Sequence, residues 1–409
     1  MDEPRLGRRH LFAAAGLAIA AAGTAACGPA HPNAPTTPTT AGGTPSGSPT
    51  AAPPTTAAPA PAPPPTLDEA QLRKKIASLL VVGFRGLDPG PDDWIMKAIS
   101  QQGLGGVIVF DKDQLTGQVR NIASPAQLTA LVRKLRAASP GKLIVSVDQE
   151  GGAITRLNPA NGFPATQSQA QIGAANSPAT TRSWAQSIAG PLASTGIGLN
   201  YAPVVDLNVN PKNPAIGAIG RSFSADPAVV VSNATEEIGV HRSLGVRTVV
   251  KHFPGLGSAT GNTDFGVVDV SATWKPVELQ PFQQLIAAGS VDSVMVGHLL
   301  NHQLDPSRPA SLSPAVVQNL LRGQLGWRGP VVSDDMQAAA ITQKYGRAEA
   351  TAMAVTAGLD LLVYANQQVY DTNIVTETVD TVVAMVKDGR ITQAQIDQAV
   401  ARVDALRPA

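Results

Sequence analysis

Five short apolar runs in this 409-residue chain end in ionisable side chains: Asp148, Asp206, Lys251-His252, His298 and Asp334-Asp335. Arg156 follows the first of these and Arg221 follows the second. Groups of these types accept from and donate to hydroxyls. A pair of carboxylates can also cleave a glycosidic bond, one acting at the anomeric carbon while the other moves the proton. Competing chemistries are poorly supplied. Beyond residue 66 the only histidines are His241, His252, His298 and His302, with no HExxH pair and no cysteine, so no zinc site is expected. There is no GxSxG elbow for a serine nucleophile. No glycine-rich dinucleotide fingerprint follows the first apolar run, and no metal or cofactor is expected.

Positioning these groups requires elements whose ends converge. The runs Leu79–Gly83, Gly106–Phe110, Leu143–Asp148, Leu199–Asp206, Arg247–His252, Ser293–His298, Pro330–Asp334 and Leu359–Tyr364 are short, continuous and rich in Val, Ile and Leu. Such runs read as parallel strands buried on both faces. Helix starts lie between them. Ser124-Pro125, Ser177-Pro178, Asp226-Pro227 and Ser313-Pro314 each place a capping side chain before a proline at the first helical position, and Thr66 with Glu69 makes a possible capping box. Eight β-then-α units predict an α/β fold, a TIM-type (β/α)8 barrel forming a single catalytic domain over residues 66–409, with a doubly wound open sheet as the alternative. In a barrel the C-terminal strand ends share one face, where the ionisable groups would meet.

The first 65 residues differ in kind. Arg8-Arg9-His10-Leu11-Phe12, an Ala/Gly/Leu/Ile run and Thr24-Ala25-Ala26-Cys27 read as a signal peptide over residues 1–27, with the paired arginines suggesting twin-arginine export. Cys27 is the only cysteine and stands where a lipoprotein signal places its lipidated residue. Residues 28–65 are Pro, Thr, Ala, Ser and Gly apart from His31 and Asn33, without Phe, Trp or Tyr, and read as a disordered tether. The expected location is the outer face of the cell membrane, held by a lipid anchor. Net charge is +1 with no basic block in the globular part, so no nucleic-acid partner is expected. A monomer acting on a glycan substrate is the expected working form.

At its polar strand ends the chain resembles glycoside hydrolase family 3. It is most similar to the single-barrel β-N-acetylglucosaminidases and their actinobacterial lipoprotein members. The resemblance rests on Val147-Asp148-Gln149-Glu150-Gly151-Gly152 with Thr155-Arg156-Leu157, and on Tyr201-Ala202-Pro203-Val204-Val205-Asp206. It also rests on Gly220-Arg221-Ser222-Phe223, Lys251-His252-Phe253-Pro254-Gly255 and Val332-Ser333-Asp334-Asp335-Met336. The resemblance implies a retaining exo-β-N-acetylglucosaminidase acting on cell-wall-derived glycans. Asp334 would be the nucleophile, and Asp148, Arg156, Arg221, Lys251 and His252 would hold the sugar, with His298 a further substrate-binding candidate. Asp335 is expected to point away, since strand neighbours alternate. Relatives of this type carry a histidine acid/base after an aspartate in the strand-five loop. Here Asp264 stands at that position and Asn262 replaces the partner, making Asp264 the candidate acid/base. A β-glucosidase or glycosyl transferase on the same barrel, or a degenerate barrel that only binds wall sugars, are the alternatives.

Overall fold

The computed structural model describes residues 68–408. All eight expected strands are present: β1 (Leu80–Gly83), β2 (Gly106–Ile108), β3 (Ile144–Val147), β4 (Leu199–Asn200), β5 (Arg247–Thr248 and Val250–Phe253), β6 (Val294–Val296), β7 (Val331–Asp335) and β8 (Leu361–Tyr364). They pair in parallel, each with its sequence neighbours, and β1 pairs with β8. Strand β5 closes the ring. Its first segment pairs with Leu199 and Asn200, and its second with Val294 and Val296. Val249 lies between them and donates to the Asn200 and Ala202 carbonyls at 3.1 and 2.9 Å. The result is a (β/α)8 barrel. Its strands are apolar on both faces because one face packs inside the barrel and the other against the helices.

Strand β4 is shorter than the sequence suggests. Pro203 has no N–H to give to a ladder, so regular pairing stops at Asn200 and resumes only as a bridge from Val204 to Lys251. Asp206 therefore sits in the loop beyond.

The proline-started helices form where expected. Ser124 accepts from Gln127 N at 3.2 Å, Ser177 from Thr180 N at 3.4 Å and Asp226 from Ala228 N at 2.9 Å. Ser313 caps the helix over Ala315–Gln324 through Val316 N at 3.1 Å. The first helix, Glu69–Ala77, is capped by Asp68, which accepts from Gln71 N at 3.1 Å. The expected Thr66–Glu69 box involves Thr66, which lies outside the described residues. Along Pro125–Ala138 the buried residues Leu128, Leu131, Val132 and Leu135 follow a helical spacing. Burying each such side chain stabilises the fold by about 1.5–3 kcal/mol.

At the base, Arg407 gathers the turns that feed the first three strands. Its guanidinium donates to Ser78 O at 2.8 Å, Lys142 O at 3.0 Å and Gly105 O at 3.2 Å. Among the described residues no helix is long and apolar enough to cross a membrane.

Candidate active site

The strand ends surround a cavity of about 380 Å³, lined by Asp148, Arg156, Arg221, Lys251, His252, Asp264 and Asp334 among others. Seven of the eight expected catalytic and substrate-binding residues therefore meet in one place. The exception is His298. It does not line the cavity, and both ring nitrogens are engaged beneath it. Nε2 donates to Asp335 O at 2.8 Å and Nδ1 faces Ser311 Oγ at 2.6 Å. Burial pushes its pKa down. The ring supports the Asp334–Asp335 strand end rather than offering itself to a ligand.

One wall of the cavity is an ion-paired network. Lys251 Nζ donates to Asp148 Oδ1 at 2.8 Å and lies 2.7 Å from Glu150 Oε1. Arg221 grips Glu150 with two bonds, Nε to Oε2 and Nη2 to Oε1, each 2.7 Å. Burial alone would raise the Glu150 pKa, but the charges of Arg221 and Lys251 outweigh it and hold the carboxylate far below its ordinary range. Burial likewise opposes the charge on Lys251, and the carboxylates of Asp148 and Glu150 reverse the effect. Buried carboxylate and cation thus sustain one another.

His252 is oriented by Asp206. The buried Asp206 carboxylate accepts from the backbone N–H groups of His252 and of Leu256, the latter at 2.7 Å. His252 Nδ1 donates to it at 2.7 Å, which leaves Nε2 facing Arg221 Nη2 at 3.4 Å. Arg156 has another character. Its guanidinium lies 5.4 Å from the Phe110 ring centroid, and among the described residues it makes no ion pair.

The opposite wall carries the two candidate catalytic carboxylates. Asp334 is the penultimate residue of β7 and accepts from Asp335 N at 2.9 Å. Burial would raise its pKa. The rings of His298 and His252, that N–H and the Lys251 ammonium outweigh burial and lower it. Asp264 shifts the other way, raised by burial and then by the charge of Asp334. Its loop is held by neighbours on several elements. Asp264 N donates to Asn262 Oδ1 at 2.9 Å, and the Thr263 and Asp264 carbonyls accept from Ala340 N and Ala339 N at 3.0 and 3.2 Å. Asn213 Nδ2 reaches the Leu256 and Gly257 carbonyls at 2.7 and 3.1 Å. Gly257 is required there, because a Cβ would stand 1.9 Å from Leu207 O.

Asp335 departs from the expectation that it points away, for it too lines the cavity. The β7–β8 register shifts between Val332 and Asp335, which breaks strict alternation. Its Oδ1 accepts from Ala365 N at 3.0 Å and Gln337 N at 3.1 Å, and burial raises its pKa to about 7. Glu150 was absent from the site expected from sequence, and Asp206, expected among the converging strand ends, had been given no role there. Glu150 had a signal, since it stands two residues from Asp148 and so on the same side of an extended segment.

The sequence model described as the glycosyl hydrolase family 3 N terminal domain matches residues 71–406. The chain belongs to glycosyl hydrolase family 3. It is 34% identical over 304 residues to a β-hexosaminidase of Stenotrophomonas maltophilia (strain K279a), covering 72% of this chain and 85% of the relative. It is 32% identical over 399 residues to β-hexosaminidase LpqI of Mycobacterium tuberculosis (strain ATCC 25618 / H37Rv), covering 96% of each. Among solved structures, the family 3 β-N-acetylglucosaminidase from Paenibacillus sp. str. FPU-7 superposes with a TM-score of 0.74 at 35% identity. That match covers 82% of this chain and 62% of the Paenibacillus chain.

Proposed function

We propose that this chain, a glycoside hydrolase of the β-N-acetylhexosaminidase type, removes terminal N-acetylglucosamine from cell-wall-derived glycans with retention of configuration. An Asp334 carboxylate oxygen attacks the anomeric carbon as the bond to the leaving oxygen breaks, and Asp264 gives that oxygen its proton. Water then attacks the glycosyl-aspartate, Asp264 takes the water's proton, and Asp334 departs as carboxylate. Asp148, Lys251, Arg221, His252 and Arg156 hold the sugar hydroxyls. The observation that carries this reading is the joint presence of Asp334 and Asp264 in one cavity with their pKa values pushed apart, one toward the ionised and the other toward the protonated form. β-Hexosaminidase names among the relatives support the sugar.

Aryl β-N-acetylglucosaminide and aryl β-glucoside hydrolysis, measured side by side, test the substrate. Proton NMR of the first-formed anomer tests retention. Faster turnover of the glucoside, or an α-anomer as first product, would overturn the assignment. The reading extends to an exported monomer held by a lipid on Cys27, with residues 28–65 as tether; these residues lie outside those the structure describes. Cys27→Ala should free the enzyme from the membrane fraction, and unchanged retention of the processed protein would count against the anchor.

A further inference from the structure

Behind the cavity, the buried Asn200 side chain at the end of β4 makes a two-point contact with the backbone of Gln149. Oδ1 accepts from Gln149 N at 2.9 Å, and Nδ2 donates to Gln149 O at 2.9 Å. A backbone N–H only donates and a carbonyl only accepts, so the contact fixes which end of the amide is oxygen. The second Nδ2 hydrogen is directed at His241 Nε2, 3.1 Å away. That nitrogen is therefore bare. The ring proton sits on Nδ1, which donates to Glu237 O at 2.9 Å. His241 is thus a neutral imidazole, in keeping with burial that pushes its pKa down to about 4.

Gln149 separates Asp148 from Glu150, and its own side chain extends the network. Oε1 accepts from Arg156 N and Leu157 N, both at 2.9 Å, and Nε2 donates to Leu157 O at 3.0 Å. The segment carrying Asp148 and Glu150 and the segment carrying Arg156 are both held by Gln149, and Gln149 is held by Asn200. This places a helix of the barrel wall, Pro227–Ser243, in hydrogen-bonded contact with the ligand-facing groups through two amides.

We infer that Asn200 is a positioning residue for sugar binding. Without touching substrate, it fixes the Asp148–Glu150 segment, and through Gln149 also Arg156, in register with Lys251 and Arg221. The inference rests on the reading of Asp148 and its partners as sugar contacts. The test uses the full chain. Asn200→Asp keeps the shape but replaces both donors with an acceptor facing the Gln149 carbonyl and His241 Nε2. KM for an aryl β-N-acetylglucosaminide, and Ki for N-acetylglucosamine, should both rise about tenfold or more, the scale of one unsatisfied buried polar group. The kcat should change less than KM, a split that general destabilisation does not produce. Asp148→Asn is measured alongside. If it raises KM and a folded Asn200→Asp does not, the inference fails and the reading of the sugar contacts stands; if Asp148→Asn leaves KM unchanged, both fail. Should Asn200→Asp not fold, imidazole ¹⁵N NMR of the unaltered protein decides. A neutral His241 with its proton on Nδ1 between about pH 5 and 8 supports the inference, and an Nε2–H or protonated ring overturns it.

Discussion

The two walls of the cavity solve opposite electrostatic problems. On the β3–β5 side, Asp148, Lys251, Glu150 and Arg221 neutralise one another, and Asp206 holds His252. On the β7 side, Asp334 and Asp264 form no ion pair with lysine or arginine among the described residues. The first wall is compensated before any ligand arrives, so it can meet hydroxyls in a fixed geometry without reorganising. The second keeps Asp334 ionised without a direct ion pair, so its negative charge is available where an oxocarbenium-like centre would develop positive charge. Asp334 stands on β7, while Asp264 reaches it from the loop after β5, the strand that also carries Lys251 and His252.

Substitutions on the two walls should separate these roles. The largest effect is expected from Asp334→Ala, which should lower turnover by several orders of magnitude, because no other carboxylate occupies the attacking position. Asp335→Asn should retain more activity, and the reverse ranking in steady-state assays would show that the nucleophile is the second aspartate.

Asp264→Ala should cost about 10²–10⁴-fold on substrates with poor leaving groups and far less on activated aryl glycosides. Azide should rescue deglycosylation, and equal losses on both substrate types with no rescue would remove Asp264 from the chemistry. Asp264 must be protonated for the first step and Asp334 ionised. Activity of the native enzyme should therefore fall on the alkaline side as Asp264 loses its proton above the ordinary carboxylate range, a limb absent from the kcat/KM profile of Asp264→Ala. The intact Asp264 carboxylate should also repel phosphate, so sugar 1-phosphate should not form in phosphate buffer.

On the compensated wall, Glu150→Gln should lower stability by about 3–5 kcal/mol, since Arg221 loses its ion-pair partner and Lys251 keeps only Asp148. Urea unfolding at several pH values checks this. The folded pKa of Glu150 is depressed, so its contribution is present above the ordinary carboxylate range and is lost only as pH falls through the depressed value. The gap between native and variant should persist in mild acid and close in strong acid.

The smallest effect concerns Asp335. Its pKa is raised from 3.8 to about 7, so the folded form binds the extra proton and stability declines as pH rises between those values. Asp335→Asn should flatten that slope, as followed by the thermal midpoint against pH.

Much of the architecture was legible in the residues. The eight runs of Val, Ile and Leu are all strands, because parallel strands buried on both faces need unbroken apolar sequence. The Ser/Asp-Pro starts are all helix starts, because a cap and a fixed φ act locally. What was not legible depended on geometry across elements. His298 occupies a strand end like its neighbours, yet a hydroxyl from Ser311 and the Asp335 carbonyl hold it below the cavity. Asp335 was misdirected by strict alternation, which a register shift undoes. Glu150 and Asp206 act through partners more than 45 residues away in sequence, at separations of 71 for Arg221 and 46 for His252, and no local pattern states such pairings.

The seam between β1 and β8 sets an order on synthesis. The ribosome delivers β1 well before its partner Leu361–Tyr364 exists, and Arg407, which ties the turns ahead of β1, β2 and β3, comes later still. A nascent barrel therefore exposes the edge of β1, with unpaired N–H and C=O groups, until nearly all of the domain has been translated. Early strands can assemble as an open sheet, but the cavity floor cannot close around β7 and β8 before then. A ribosome stalled between β6 and β8 should carry an inactive, chaperone-binding chain, whereas one stalled after Arg407 has emerged should already cleave substrate.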